Sequence, residues 1–218
     1  METWHLWTAF LAGAISYLSV YFDVSEAVAI MVLTGLARVA LMPISIAASL
    51  RMERNKEKLR CVKPALDALK ERFKGKQAEL AAATMQLHKQ NGIRFFDRLT
   101  LVNMATQSFI GLGIYQAITR TAFRSRFLWI GSLAKPDALL TFLVALVMVL
   151  AMSMAPGAFG EPTFVIVLCV SVLVTVFAVA AMPSAVGIYW ATSNVAGLAQ
   201  SCLLRWLRLR DGVATTGS

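Results

Sequence analysis

Acidic residues are scarce in this sequence, which has 12 Asp and Glu against 21 Lys and Arg, and only 15% of its 218 residues are charged. An ordinary soluble domain has about 25% charged and roughly 45–50% apolar residues, whereas 58% of this chain is hydrophobic. Such hydrophobicity excludes intrinsic disorder, which requires a low value. The composition therefore favours a membrane protein over a soluble enzyme with one large core.

Cysteine and histidine are also rare. The three cysteines, Cys61, Cys169 and Cys202, form no disulfide framework. Their spacing does not match a zinc site, and the two histidines, His5 and His88, are isolated. We therefore predict no metal site and interpret all five residues as structural.

Motifs of common enzyme classes are missing. The sequence has no His-Glu-x-x-His, no Gly-x-Ser-x-Gly and no P-loop. It also has no pair of intramembrane aspartates and no histidine within a predicted span. We predict that the protein is not an enzyme, has no catalytic residues and needs no cofactor. Without an ATP site, any work must come from substrate hydrophobicity or the membrane potential, which supplies roughly 2.3 kcal/mol per charge per 100 mV.

Five apolar runs predict an all-α polytopic membrane protein with five transmembrane helices. A helix rises about 1.5 Å per residue, so about 20 residues cross a hydrocarbon core of roughly 30 Å. The shortest run needs help from its flanks. The predicted spans are residues 25–50, 99–119, 138–154, 163–182 and 184–206.

Pro183 leaves room for only a tight turn between the last two spans, so we expect them to be antiparallel neighbours. Gly187 and Ala191 form a face of small residues four positions apart, a pattern typical of close packing between spans. We expect this face to pack against another span, with dimerisation as the alternative.

Residues 1–24 form a different kind of segment, and we predict an amphipathic helix that lies in the membrane interface. The polar side chains of His5, Thr8, Ser16 and Ser19 recur at helical spacing. Tryptophan and tyrosine rings, which favour the interface, lie off that face. The alternatives are a sixth span and an uncleaved signal segment.

The one long polar segment, 51–98, contains 13 of the 21 Lys and Arg. Its apolar residues follow heptad spacing, which predicts a coiled-coil hairpin of two antiparallel helices joined at Gly75. Pro64 lies inside the first helix, so we expect a kink or a restart there. The basic surface could bind ribosomal RNA or anionic lipid, or could only set the topology. The residues of this seam are Met52, Leu59, Val62, Leu66, Leu69 and Phe73, continued by Leu80, Thr84 and Leu87.

The positive-inside rule predicts that this hairpin is cytoplasmic. The N-terminus is then outside and the C-terminus, with a short tail at 207–218, is cytoplasmic. The loop 155–162 has no Lys or Arg, whereas the outer loop 120–137 has four. The basic residues assigned to the tail side are Arg205, Arg208 and Arg210, and those assigned to the outside are Arg120, Arg124, Arg126 and Lys135.

Arg38 is the most informative residue because it lies near the middle of a predicted span, 12 residues after Glu26. A central arginine costs about 2.5–3.5 kcal/mol on insertion scales. No carboxylate lies at that depth to pair with it, because Asp23, Glu26, Asp137 and Glu161 all flank the spans. We therefore expect Arg38 to face a hydrated cavity inside the membrane, with snorkelling or bonds to backbone carbonyls as the alternative.

Other polar residues of the spans are candidates to line the same cavity. Such a cavity could hold a polar, preferably acidic, stretch of another chain, because Coulomb attraction strengthens at reduced dielectric. That arrangement fits an insertase, and it also fits part of a small-anion pathway. The candidates are Thr34, one turn before Arg38, then Asn103, Gln107 and Ser108, and finally Tyr189, Ser193 and Asn194.

Several motifs together resemble the YidC/Oxa/Alb membrane protein insertases, from about residue 4 to about 208. Arg38 followed by Pro43 is similar to that family's Arg-x-x-x-x-Pro at the end of its first core span. The segments 63–66 and 87–91 resemble its cytoplasmic hairpin. Gln107 with Tyr115 resembles its second span. Further matches are 128–130 with 136–137 in the outer loop and, most specifically, 182–190 with Ser193 and Asn194.

This resemblance implies five spans around a hydrophilic groove in a bacterial plasma (inner) membrane. It implies that Arg38 attracts acidic segments of nascent membrane proteins and that the hairpin receives substrate or contacts the ribosome. Further implied partners are the Sec translocon and membrane lipids, and the chain is expected to be a monomer. The implied substrate-binding groove is Arg38, Thr34, Gln107, Tyr189, Trp190 and Asn194, and the implied hairpin residues are Lys63, Pro64 and Gly75.

The sequence also departs from the family pattern. Phe109 stands where a proline is usual, and the tail after Arg210 is short and not strongly basic. These departures leave an alternative function open, that of a divergent paralogue without insertase activity that acts as an assembly scaffold for a membrane complex.

Overall fold

The computed structural model describes residues 2–93, 98–121, 123, 125–154 and 163–215. Within these ranges the chain forms seven α-helices and no β-strand, which confirms the all-α prediction. The loop 155–162, Arg94 and Arg124 lie outside the described residues. The helices are α1 (Glu2–Tyr21), α2 (Glu26–Arg72), α3 (Gln77–Gln90), α4 (Arg98–Arg120), α5 (Ala138–Met154), α6 (Phe164–Ala180) and α7 (Ser184–Thr215).

Among the described helices, α2 is long and apolar enough to cross a membrane by length and composition. Helices α5 and α6 are also apolar, but each has only 17 residues. The prediction of five spans therefore stays a prediction at this point.

The chain divides into two compact units, residues 43–106 and the combination of 1–42 with 107–218. In the first unit, α2 continues through Pro64 to Arg72, so the restart expected at this proline does not occur. A proline inside a helix removes one backbone hydrogen bond, but α2 remains helical on both sides of Pro64. Gly75 turns the chain with a φ of +85° before α3 begins.

Helices α2 and α3 of this unit form an antiparallel hairpin. The Lys58 ammonium donates to the Gly92 carbonyl at 3.3 Å, which places the end of α3 beside the middle of the first helix. Val62, a seam residue, is 8% exposed, whereas Met52 at the seam's start is 47% exposed. The heptad seam is therefore packed around Val62 and open at Met52.

In the other unit, the hydrophobic core is concentrated at one end of the helices. Ile30 of α2, Ile114 of α4, Val144 of α5 and Ile188 of α7 are at most 2% exposed and belong to one cluster. They lie in the first turns of α2, α5 and α7 and in the second half of α4. These positions meet because α2, α5 and α7 begin at this end of the bundle and α4 ends there.

The segment between α4 and α5 covers that end of the core. Phe123, Ile130 and Leu133 are at most 3% exposed and pack into the same cluster. The carboxylate of Glu26 accepts a hydrogen bond from the Ser125 hydroxyl at 2.7 Å. The first backbone N–H groups of α7 are satisfied by the same segment, since Ser184 N donates to the Lys135 carbonyl at 3.0 Å.

Helix α7 packs against α5, and α5 in turn packs against α6. The turn at Pro183 does join α6 to α7, but these two helices make little contact with each other. A Cβ added to Gly187 would lie 2.7 Å from Leu140 Cδ2 of α5 and 3.4 Å from Val179 of α6. The expected small-residue contact with another helix is therefore present, and its main partner is α5.

Helix α1 docks on α4 through tryptophans and polar groups. Trp4 Nε1 donates to Gln116 Oε1 at 2.7 Å, and the Trp7 and Phe109 rings stack with centroids 5.5 Å apart. Arg120 donates to the hydroxyl of Thr8 at 3.3 Å, and Thr8 is only 2% exposed. Part of the polar face predicted for this helix thus turns toward α4.

Replacement of Gly187 by alanine should destabilise the fold, because the new methyl group meets the buried Leu140 side chain. Overpacking of this kind costs about 1–3 kcal/mol. The matched control is Gly197→Ala on the same helix, where a Cβ meets no atom within 4 Å and alanine favours the helix. Thermal unfolding in detergent should show a lower midpoint for G187A and an unchanged or higher one for G197A. Equal midpoints for both variants would contradict the packing.

Candidate functional site

Arg38 lies in α2, one turn after Thr34, and its side chain is half-buried. Its Nη1 donates to Gln107 Oε1 of α4 at 2.9 Å, and its Nε donates to Ser193 Oγ of α7 at 3.3 Å. Both partners are neutral. Among the residues that the structure describes, Arg38 has no ion-pair partner, so the guanidinium charge is held but not neutralised.

Three helices bring these groups together because each places polar residues on one face. Residues four apart lie on the same side of a helix. Gln107 and Gly111 therefore share one face of α4, and Tyr189 and Ser193 share one face of α7. Arg38 reaches both faces from α2.

The resulting groove has a volume of about 710 Å³. Its lining includes Arg38, Gln107, Tyr115, Trp190 and Asn194. A smaller pocket of about 20 Å³ lies beside Thr34 and Arg38. That pocket has room for about one water molecule.

Two buried polar atoms at this groove have no hydrogen-bond partner in the described part of the chain. They are Thr34 Oγ1 and Asn194 Nδ2. Buried polar groups are nearly always satisfied by protein or by ordered water. Both atoms therefore indicate a groove that contains water or receives polar groups from another molecule.

Gly111 is a site residue that the sequence reasoning missed. A Cβ at this position would lie 2.7 Å from the Tyr189 hydroxyl oxygen. The glycine thus lets the phenol approach the backbone of α4 at the groove wall. The available signal was a glycine four residues after Gln107 on a face that also carries Tyr115.

All six residues predicted for the groove come together in this unit of the structure. Asn103, also considered for the cavity, belongs to residues 43–106, and its place at the groove stays a prediction. The predicted roles of the six residues in binding substrate stay predictions as well. They are Arg38, Thr34, Gln107, Tyr189, Trp190 and Asn194.

The three residues predicted for the hairpin lie elsewhere. Lys63 and Pro64 are exposed on α2, and Gly75 lies in the turn before α3. Exposed ion pairs such as Lys70–Asp67 at 3.1 Å accompany them on the same unit. Their contact with a partner stays a prediction.

The groove can bind an anionic or hydrogen-bonding group next to an apolar surface. In the part of the chain that the structure describes, no group of three or more His, Cys, Asp or Glu could hold a metal ion. The groove's chemistry is therefore that of one arginine, several neutral polar groups and three aromatic side chains, Tyr115, Tyr189 and Trp190.

Comparison with known proteins gives one matching family model and several relatives with the same name. The family model described as 60Kd inner membrane protein matches residues 17–209. Membrane protein insertase YidC 1 of Listeria monocytogenes is 28% identical over 209 residues, which cover 89% of this chain and 69% of that protein. Membrane protein insertase YidC 2 of Streptococcus pneumoniae is 30% identical over 220 residues, which cover 93% of this chain and 74% of that protein. Membrane protein insertase YidC 2 of Bacillus anthracis is 27% identical over 205 residues, covering 89% and 78%.

Removal of the partners of Arg38 should destabilise the fold, because a hydrogen bond to a charged group contributes about 1.5–3 kcal/mol. We expect Gln107→Leu to lower the unfolding midpoint more than Ser193→Ala, since the Gln107 bond is shorter. Ser108→Ala is the matched control, because Ser108 lines the groove but is exposed. A midpoint for S193A equal to that of S108A would argue against the bond to Ser193.

Proposed function

Because the chain belongs to the 60Kd inner membrane protein family, we propose that it is a membrane protein insertase and folding chaperone of a bacterial inner membrane. The observation that carries this proposal is the guanidinium of Arg38. It lies in a groove, is held by neutral partners and has no described ion-pair partner. The alignments with the relatives named as insertases cover most of this chain.

We place five helical segments across the bilayer, α2 up to about residue 50, α4, α5, α6 and α7. The apolar outer faces of these helices support this placement. Phe142 is 63% exposed, Phe177 is 74% exposed and Leu36 is 60% exposed. Apolar exposure of this extent marks a surface that contacts lipid or protein rather than water. The N-terminus is then outside and the C-terminus is cytoplasmic.

The groove is proposed to open toward the cytoplasm and the lipid and to be closed on the outer side. The concentration of the core at one end of the helices supports this asymmetry. Ile30 and Ile188 are buried at that end, and Leu133 of the covering segment is fully buried there. Arg38 lies eight residues beyond Ile30, about 12 Å along α2.

The proposed mechanism begins with capture of a polar substrate segment near Arg38. A carboxylate about 4 Å from the guanidinium gains about 1 kcal/mol in bulk water but about 4 kcal/mol at an effective dielectric constant of 20. Gln107 and Ser193 hold the guanidinium in place and leave its other N–H groups for the substrate. The acidic segment therefore enters the membrane at reduced cost.

Release of the substrate's apolar helix follows from the groove's open side. Tyr189 and Trp190 on α7 and Leu112 on α4 line the groove, so an apolar segment can pack there before it moves into lipid. No nucleotide is needed, because burial of a 20-residue apolar helix in the bilayer is itself favourable. The expected substrates are short, weakly charged proteins with one or two spans.

The basic hairpin of residues 51–98 is proposed to face the cytoplasm, where it can receive nascent chains. Its 13 Lys and Arg support contact with phosphate-rich partners such as the ribosome or anionic lipid. Contact with the Sec translocon and a monomeric state are part of the same proposal.

The decisive test is insertion of a single-spanning reporter with an acidic outer tail into liposomes that contain the purified protein. Protease protection of the tail should rise with the wild-type protein. Arg38→Ala should lose most of this protection, whereas Arg38→Lys should keep most of it because the positive charge remains. The matched reporter, with Asn and Gln in place of the tail's Asp and Glu, should respond weakly to both substitutions.

Two results would count against this function. Equal protection with Arg38→Ala would remove the electrostatic mechanism. Folded wild-type protein that gives no protection would favour the assembly scaffold, which does not need a half-buried charge.

Hydration of the groove can be measured with cysteine labelling. In a variant whose three native cysteines are replaced by alanine, Asn194→Cys should react with a membrane-impermeant maleimide applied from the cytoplasmic side, because Asn194 lines the groove. Val170→Cys is the control, since Val170 is 54% exposed on the apolar face of α6 and should be shielded by lipid. Equal labelling at both positions would contradict a water-filled groove.

A further inference from the structure

A second cavity lies away from the groove, between the first two turns of α5 and the last two turns of α6. Its volume is about 540 Å³, within the range of sites that hold drug-sized ligands. Phe142 and Ala145 of α5 and Val176 and Ala180 of α6 form apolar walls. We call this cavity the α5–α6 crevice.

One end of the crevice carries a carboxylate. Asp137 Oδ1 accepts the backbone N–H of Leu140 at 2.7 Å, which caps α5, and the indole N–H of Trp129 at 3.2 Å. Both donors are neutral. In the described ranges Asp137 has no ion-pair partner, so its negative charge remains available at the rim.

The dimensions of the crevice fit a lipid better than a compact solute. From Ala138 to Ala145 the wall descends about 10 Å along α5. Trp129, hydrogen-bonded to Asp137, is 47% exposed, and exposed indoles favour the level of lipid headgroups. With the bundle placed in the bilayer as proposed, the rim is at headgroup depth and the walls are at acyl-chain depth.

We propose that the α5–α6 crevice binds a phospholipid whose headgroup carries a primary ammonium, such as phosphatidylethanolamine. One acyl chain lies between Phe142 and Val176, and the ammonium donates to the Asp137 carboxylate. This inference rests on the proposed placement of the bundle in a bilayer, but it does not depend on insertase activity.

Headgroup chemistry separates this lipid from others. A primary ammonium has three donors, and its bond to a carboxylate is charge-assisted. A choline headgroup has a positive charge but no N–H donor. A glycerol headgroup has no positive charge, so it leaves the lipid phosphate near the carboxylate without compensation.

Native mass spectrometry of the full chain in detergent tests this directly. The protein would be mixed with phosphatidylethanolamine, phosphatidylcholine and phosphatidylglycerol that have identical acyl chains. We expect the ethanolamine lipid to be retained about tenfold more than the glycerol lipid, as a charge-assisted hydrogen bond predicts. Equal retention of these two lipids by the wild-type protein would overturn the proposal.

Asp137→Asn removes the charge but keeps an oxygen that can accept from Leu140 and Trp129. This variant should bind lipid without headgroup preference. Asp23→Asn is its matched control, because Asp23 does not line the crevice and asparagine tolerates its φ of +51°. If D137N keeps the wild-type preference, the carboxylate does not recognise the ammonium and the proposal is wrong.

Ala145→Phe fills the crevice and should reduce retention of all three lipids. Val170→Phe on the apolar face of α6, outside the crevice, should leave it unchanged. Unreduced retention by A145F would place the bound lipid elsewhere. A change in the ratio of dimer to monomer without a change in lipid retention would make the crevice an interface between two copies and would overturn lipid binding. If A145F does not fold, D137N still decides the question.

The same variants separate this inference from the proposed function. Asp137 lies outside the groove, so D137N should keep the insertion activity measured with the acidic-tailed reporter. Loss of lipid selectivity with insertion intact would support the lipid site alone. Failure of the Arg38 experiments would leave the lipid result unaffected.

Discussion

The half-burial of Arg38, which has no ion-pair partner among the described residues, is the constraint on which the arrangement of the bundle depends. A charge removed from water needs other hydrogen-bond partners, because the cost of its desolvation is several kcal/mol. Here the partners come from two helices far apart in sequence, Gln107 on α4 and Ser193 on α7. These bonds require α2, α4 and α7 to meet at one depth. The groove is the space that remains among them.

Apolar packing at one end of the helices compensates for the energetic cost of the polar groove. Ile30 and Ile188 pack in a buried apolar cluster, and Leu133 of the segment between α4 and α5 closes it. Arg38 lies about two turns further along α2, where the packing gives way to the groove. If the interior were apolar along the full length of the helices, the guanidinium of Arg38 would have no contact with water. If it were polar along the full length, the helices would lose the apolar burial that fixes their packing.

Long apolar runs predicted the helical class, and polar residues inside those runs, together with the family resemblance, predicted the groove residues. Gln107 and Tyr189 were assigned in this way, and both line the groove. Contacts between distant helices could not. Gly187 packs on α5 rather than mainly on the sequence neighbour α6, and Thr8 turns toward Arg120. Both contacts depend on which helices are neighbours in space. The residue pattern within one helix carries no information about its neighbours.

The hydrogen-bond partners of Arg38 and Asp137 are neutral, so each charge remains able to attract a group of the opposite sign. An aspartate beside Arg38 would cancel its field, and a lysine beside Asp137 would do the same at the α5–α6 crevice. Amides, hydroxyls and indoles satisfy hydrogen-bonding needs without cancelling charge. Gln107 and Ser193 thus keep a positive charge available in the groove, while Trp129 and the backbone of Leu140 keep a negative one available at the rim. The two sites therefore select opposite charges, which keeps a lipid ammonium from competing with an acidic substrate.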